Sequence, residues 1–378
     1  MAIRQIARPL KSAFHSTKSA SHEVLWQLGL ARKRAPVSIV IEKADWAIRW
    51  YGEFTSQAAN KIAPGISSVT NDPASLRSGI VEFGSQYQFV EWADRVPRRC
   101  SLVSTFFHGK PEDGPAVERH IEQFLKLERH LSRIICSASI VRNRLIDWGV
   151  APEKLSLIPI GCETNRFVPP TAQQRDDIRR RFDIPSDALV VGSFQKDGEG
   201  WDKGLKPKLI KGPDVFLAAV ERISRDHPVF VFLTGPARGY VVHGLETLGI
   251  PYTHHYATDR DDLARCYHAL DLYLVTSREE GGPMALMESM ASHVPIVSTP
   301  VGMAPDLISD GISGGLTGSV DPDEIASKAE FFLGLSEDKS AQMKKIARDS
   351  VLQADWNVVG RRQLEEVWQP LLQNNQVS

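Results

Sequence analysis

Thr276–Met303 reads TSREEGGPMALMESMASHVPIVSTPVGM: a polar turn, a short helix and a buried strand, in that order. Directly before it, Leu270-Asp-Leu-Tyr-Leu-Val275 is too short and too apolar for a surface helix. That composition predicts a parallel strand buried on both faces. The carboxyl end of such a strand delivers Ser277 to Gly282 into the crevice where open α/β sheets bind ligands. There Gly281 and Gly282 let the backbone come close to a ligand. Pro283 starts a helix whose free N–H groups favour an anion such as phosphate.

Two carboxylates bracket this turn. Glu280 precedes the helix and Glu288 lies two turns along it, which at the rise of an α-helix separates them by about 12 Å. A glycosidase acid/base pair needs roughly 5 to 9.5 Å. The longer spacing suits the two ends of a nucleotide diphosphate sugar, with Glu280 on the sugar hydroxyls and Glu288 on those of the ribose, because carboxylates accept hydrogen bonds from vicinal diols.

Glu280-Gly-Gly-Pro-Met-Ala-Leu-Met-Glu288, followed by Ser-Met-Ala-Ser-His-Val-Pro-Ile-Val-Ser-Thr299, resembles the E-x7-E signature of the retaining GT-B glycosyltransferases of the large group 1 (GT4) family. The resemblance implies an α/β protein of GT-B architecture, two Rossmann-like domains facing a central cleft. It also implies metal-independent, retaining transfer of a sugar from a nucleotide diphosphate donor, a UDP- or GDP-sugar, to a hydroxyl of a glycan or lipid-linked glycan, with no cofactor. Lys211-Gly-Pro-Asp214 is similar to the family's K-G pair that holds the donor diphosphate. The family's partner Arg would fall at Ser193, and Lys196 is expected to supply the charge that this Arg would have given.

The strand Leu102-Val-Ser-Thr-Phe-Phe-His-Gly109 resembles the one that presents a histidine to the donor sugar in the family. The expected catalytic set is therefore His108, Glu280 and Lys211. The expected donor-binding set is Lys196, Ser193, Gly281, Gly282, Pro283 and Glu288.

At 378 residues the chain is too long for one core. Four parts are expected: a basic extension over 1–36, an acceptor-side domain over 37–168, a nucleotide-sugar domain over 169–355, and a terminal helix over 356–378 that crosses back to the first domain. Leu157-Ile-Pro-Ile-Gly-Cys-Glu163 through Pro169-Pro170 resembles the family's interdomain segment, with Ile160 and Glu163 where Asn and Asp are usual. The alternation of strand and helix patterns from Val37 onward predicts parallel doubly wound sheets. Gly79 to Trp92 and Cys100 to His108 read as strands. The insertion Asp197 to Lys208 reads as an ordered loop over the nucleotide site.

A hydrophobic content of 42% and a net charge of −1 are ordinary for a soluble domain and give no support for nucleic-acid binding. Cys100, Cys136, Cys162 and Cys266 are scattered, which indicates reduced thiols rather than a zinc site or disulfides. His254-His255 lacks the further ligands a metal site needs. No apolar run approaches the length of a membrane span, so the expected location is cytoplasmic. Arg4, Arg8, Lys11, Lys18, Arg32, Lys33 and Arg34 face only Glu23 in the first stretch, with apolar residues between them. Such a stretch suits peripheral contact with an anionic membrane face, and equally a positively charged, partly disordered leader or a transit peptide. A rival reading from another class is a catalytically silent nucleotide-sugar-binding paralogue acting as a partner subunit, for which Ser193 in place of Arg speaks. A GT-B sugar-nucleotide epimerase is a further rival, but it would not need the E-x7-E clamp.

Overall fold

The computed structural model describes residues 34–43 and 47–377. Of the basic extension expected over 1–36, with its expected membrane contact, residues 1–33 lie outside the described residues. The chain divides into two compact units. The first takes the residues up to Ser137, Val141–Gly161 and the chain from Trp356 onward; the second takes Ala138–Ile140 and Cys162–Asp355.

The first unit holds strands β1 (Val37–Val40), β2 (Ser67–Thr70), β3 (Ile80–Phe83), β4 (Ser101–Phe106), β5 (Leu131–Cys136) and β6 (Leu155–Leu157). They form one sheet in the order β2-β1-β3-β4-β5-β6, and every pair is parallel. Val37, Ile39, Val81, Phe83, Val103 and Ile134 are fully or almost fully buried, as in a sheet covered on both faces. The expected strand over Gly79 to Trp92 stops at Phe83, and Gln86–Trp92 is helical instead. The cause is local: Ser85 takes an extended backbone and its side chain accepts a hydrogen bond from the Gln88 N–H, which caps a helix. Phe89 on that helix then packs edge-on against Phe83 and Phe124.

The returning segment packs tightly. A Cβ on Gly360 would lie 2.5 Å from Ala58 Cβ, and one on Gly161 would lie 2.1 Å from the Trp356 ring. Beyond the helix Trp356–Gln363, the π-helical turn Leu364–Trp368 aims Trp368 at a carboxylate in the core. Glu82 on β3 is fully buried; it accepts from Trp368 Nε1 at 2.6 Å, from Tyr51 OH at 3.3 Å and from Gln363 Nε2. Burial pushes the Glu82 carboxyl up to about 7, against the opposing pull of its hydrogen bonds from Trp368, Tyr51 and Gln363.

In the unfolded chain this carboxyl ionises near its ordinary value of 4.5. Between that pH and about 7 the folded state holds the extra proton, so rising pH costs stability across that window and no more above it. The span corresponds to roughly 3 to 4 kcal/mol. Glu82→Gln, which mimics the protonated group, is expected to flatten stability against pH between 4.5 and 7 in urea titrations. An unchanged slope would show that Glu82 does not titrate there.

The second unit holds β7 (Leu189–Phe194), β8 (Val229–Thr234), β9 (Tyr252–His255), β10 (Leu272–Val275), β11 (Ile296–Ser298) and β12 (Gly315–Leu316). All are parallel in the order β12-β11-β10-β7-β8-β9. Read from the other side this is the doubly wound order 3-2-1-4-5-6, whose direction reverses between β7 and β10. Ligands in such sheets sit outside the carboxyl ends at that reversal. The loops leaving Phe194 and Val275 flank it.

Candidate active site

Lys211 and Gly212 end a short 3-10 turn and start the helix Pro213–Ile223. They are stitched to the loop that leaves β10. Thr276 Oγ1 donates to Gly212 O at 2.9 Å, the Arg278 N–H donates to Ile210 O at 2.8 Å, and Gln195 Nε2, from the loop after β7, donates to Lys211 O at 3.2 Å. This approach needs a glycine: Gly212 has φ +62°, and a Cβ there would stand 1.8 Å from Thr276 O. Left-handed strain together with the displaced loop is expected to cost Gly212→Ala about 2 kcal/mol, read as a lowered urea midpoint.

That stitching places the Lys211 side chain. Its Nζ lies 2.5 Å from Glu280 Oε1, and Ser277 Oγ donates to the same oxygen at 3.0 Å. Glu280 is buried. Lys211, expected as a phosphate ligand, and Glu280, expected as a sugar ligand, thus share one point. Thr299 Oγ1 ties the turn down by donating to Ser277 O at 2.6 Å. Gly302, in the left-handed region, lies against the carbonyls of Gly281 and Glu280. The helix itself runs Met284–Ala291 with Pro283 extended at its N-cap, one residue later than the sequence pattern suggests.

Glu288, two turns on, is also buried. Its Oε1 is 3.0 Å from Arg260 Nη2 and its Oε2 accepts from Tyr267 OH at 2.8 Å. Arg260 in turn pairs with Glu163, beyond which Arg166 reaches Glu163 at 3.2 Å and Asp261 at 2.9 Å. Each carboxylate oxygen has two lone pairs, so Glu288 keeps acceptor capacity after these bonds. Burial, and next the Glu288 charge, hold the Tyr267 phenol well above its usual range, so it donates here.

Ser193 is buried at the end of β7, and its polar atoms are taken: its Oγ accepts from Arg238 Nη2 at 3.0 Å and its carbonyl from Arg238 Nη1. Arg238 is itself buried, with Nε 3.0 Å from Asp197 Oδ1. The insertion that follows is ordered: Glu199 N–H donates to Lys206 O at 2.9 Å and Lys208 N–H to Asp197 O at 2.7 Å, which closes a small hairpin. Its tip bonds the start of the helix Gly239–Leu248 through the Gly239 and Tyr240 N–H groups. Lys196 holds its ammonium 3.7 Å from the centre of the exposed Trp201 ring rather than bonding a loop carbonyl. His255 bonds Asp262 at 2.6 Å, and among the described residues no group of three His, Cys, Asp or Glu is arranged to hold a metal ion.

His108 lies in the first unit, just past the carboxyl end of β4. Gln86 fixes its backbone, accepting from the Phe107 N–H at 3.2 Å and donating to His108 O at 3.0 Å. Nearby, Asp113 closes its own turn by accepting from the Lys110 N–H.

Two parallel six-stranded sheets, the second with its ligand edge at the β7/β10 reversal, define the two-domain α/β architecture known as GT-B. Residues 205–350 match the family described as Glycosyl transferases group 1. Among solved structures it resembles HepE of Anabaena in complex with UDP-glucose, with TM-score 0.71, 16% identity, and coverage of 88% of this chain and 98% of that one. It also resembles the sucrose-phosphate synthase of Thermosynechococcus elongatus, with TM-score 0.72, 16% identity, and coverage of 90% and 100%. The curated relatives include D-inositol 3-phosphate glycosyltransferases. That of Corynebacterium aurimucosum is 26% identical over 62% of this chain and 56% of its own length, and that of Corynebacterium diphtheriae is 30% identical over 52% and 46%. The chain spans about half the length of these relatives.

Proposed function

We propose that the protein is a retaining glycosyltransferase that moves a sugar from a nucleotide diphosphate donor, first of all a UDP-sugar, to a hydroxyl of a glycan or lipid-linked glycan. The observation that carries this reading is the 2.5 Å pair between Lys211, in the turn before the helix Pro213–Ile223, and Glu280, in the loop that leaves the carboxyl end of β10 beside the sheet's switch point. A diphosphate on Lys211 and the N–H groups of the Gly281-Gly282 turn would set its sugar beside Glu280. The ribose would then reach Glu288, whose two oxygens are already oriented by Arg260 and Tyr267.

In this scheme the bond from the sugar's anomeric carbon to the diphosphate oxygen breaks, and the acceptor oxygen bonds to the same face. The acceptor proton passes to the departing β-phosphate oxygen, so no protein nucleophile is required. Charge that accumulates on the diphosphate is met by Lys211 and by the N–H groups of the turn. Ser193 is occupied by Arg238, so its part is to hold the end of β7 rather than to touch the donor. His108 would serve the sugar from the first unit.

The test incubates the full chain with UDP-glucose, UDP-N-acetylglucosamine and GDP-mannose, with and without acceptor sugars, lipid-linked saccharides and D-inositol 3-phosphate. Nucleotide release and the anomeric configuration of the product are read by NMR. Retention is expected, at a rate EDTA does not change. An inverted product would sink the same-face mechanism, and no release together with no thermal stabilisation by any nucleotide would sink the function itself.

A further inference from the structure

The second unit carries a cavity of about 400 Å³ at the opposite edge of its sheet, around the amino ends of β10 and β11. It is lined among others by Pro170, Arg175, Asp271, Ser292, His293 and Lys344. The four residues of β10 separate it from the Thr276 loop, about 13 Å at the rise of a strand. Its size falls within the ~300 to 1,000 Å³ typical of small-molecule pockets.

Two polar groups on its wall lack partners. Ser292 is 1% exposed and its hydroxyl makes no hydrogen bond among the described residues. Lys344 is half-buried on the helix Glu337–Leu352, and among the described residues it makes neither a hydrogen bond nor an ion pair. Burial, and next the nearby Arg175, hold its ammonium below the ordinary lysine value. Buried polar groups normally find a partner, and a half-desolvated cation is stabilised most by an anion.

The local charge points the same way. Asp271 is shared by Arg175 and Arg179, and Arg175 also donates to the carbonyls of His268 and Leu270. Arg348 and Asp349 stand near His293, whose ring is kept neutral chiefly by burial. Of the charged groups that line the cavity, Arg175 and Lys344 stand against Asp271, which leaves the wall positive. One feature opposes an anion, the carbonyl end of the helix Met284–Ala291 at Ser292, worth roughly 0.3 to 1 kcal/mol. Arg348 Nη1 already donates to Ala291 O and offsets much of it.

We propose that this cavity is a second ligand site that takes a small phosphorylated polyol, with the phosphate on Lys344 and the Ser292 hydroxyl and the polyol against Pro170 and the His293 ring. The proposal does not rest on the reaction assigned to the donor edge; Tyr267, which also lines the cavity, is the residue that the two sites share, through its bond to Glu288.

Calorimetric titration of the full chain with glucose 6-phosphate, inorganic phosphate and glucose tests it. Saturable binding of glucose 6-phosphate is expected. Inorganic phosphate should bind at least tenfold more weakly and glucose should show no heat. Lys344→Ala should weaken binding at least tenfold, and Ser292→Val, which fills the wall and removes the hydroxyl, should weaken it as well, while Lys211→Ala leaves it unchanged. Lys344→Gln serves as the charge-removal variant if the alanine protein does not fold. The proposal is overturned if wild type binds nothing, if inorganic phosphate binds as tightly as the ester, if both Lys344 variants titrate like wild type, or if binding disappears in Lys211→Ala instead.

Discussion

Lys211→Ala lowers turnover about a hundredfold or more if the proposed chemistry holds, a loss on the scale of removing one preorganised electrostatic group from a transition state. The side chain leaves a turn fixed at three points, by Thr276, Arg278 and Gln195, so its ammonium is placed before any ligand arrives. That ammonium rests 2.5 Å from Glu280 Oε1. A bound donor would bring its diphosphate to the same cation, so Lys211 would bridge the phosphate and the carboxylate that orients the sugar. Charge on the diphosphate grows as the glycosidic bond breaks. A cation that stabilises that growth more than the ground state lowers kcat and kcat/KM together when it is removed. A raised KM with kcat intact would instead make Lys211 a plain binding residue, and near-normal turnover would refute its role. Thermal unfolding of the variant supplies the control, since truncation also removes the ion pair from the buried Glu280 carboxylate.

Much of this site is legible in Thr276–Met303 because its information is local. An apolar run of strand length, a polar turn with two glycines and a proline, and a second apolar run dictate strand, loop, helix and strand at fixed spacing. Lys211-Gly212 is legible through its resemblance to the family's K-G pair, and the structure adds the physical reason for the glycine, a left-handed φ of +62° pressed against a neighbouring backbone. What escapes sequence reading is what topology brings together. Arg238 reaches Ser193 and Asp197 because β7 pairs with β8, and no spacing in the chain announces that. Arg260 and Tyr267 look like ordinary members of a helix, yet they take the two oxygens of Glu288. Lys196 follows a strand end that invites a phosphate role, but Trp201 offers its ring 3.7 Å from the ammonium. In the first unit, Phe89-Val-Glu-Trp92 carries enough apolar and aromatic residues to read as strand, and the Ser85 cap decides for helix. Glu82 is the extreme case, because nothing in Ile80-Val-Glu-Phe83 shows that its carboxylate faces the indole of Trp368.

Arg238→Met is expected to destabilise the second unit by about 4 kcal/mol at neutral pH, the scale of breaking a buried ion pair by removing one partner. Arg238 and Asp197 have side chains 0% and 1% exposed, so the aspartate left behind has no water to turn to. Burial already holds the Asp197 carboxyl above its ordinary value, even with the guanidinium beside it as the next largest influence. Without Arg238 the group escapes the full cost of a bare buried charge by taking up a proton. From an ordinary value near 3.9, protonation at pH 7 costs about 4 kcal/mol, which caps the loss that the stranded charge can cause. The cap shrinks as pH falls, because taking up the proton costs about 1.4 kcal/mol less for each unit by which the pH approaches the carboxylate's ordinary value. The variant should therefore recover part of its deficit relative to wild type between about pH 7 and 4 in paired urea titrations. Arg238→Met/Asp197→Leu, with both partners apolar, should lie closer to wild type than the single variant at pH 7 and lose that pH dependence. A deficit in Arg238→Met that does not change with pH would place the loss in the severed bonds to Ser193 and Thr234 instead of in the stranded carboxylate.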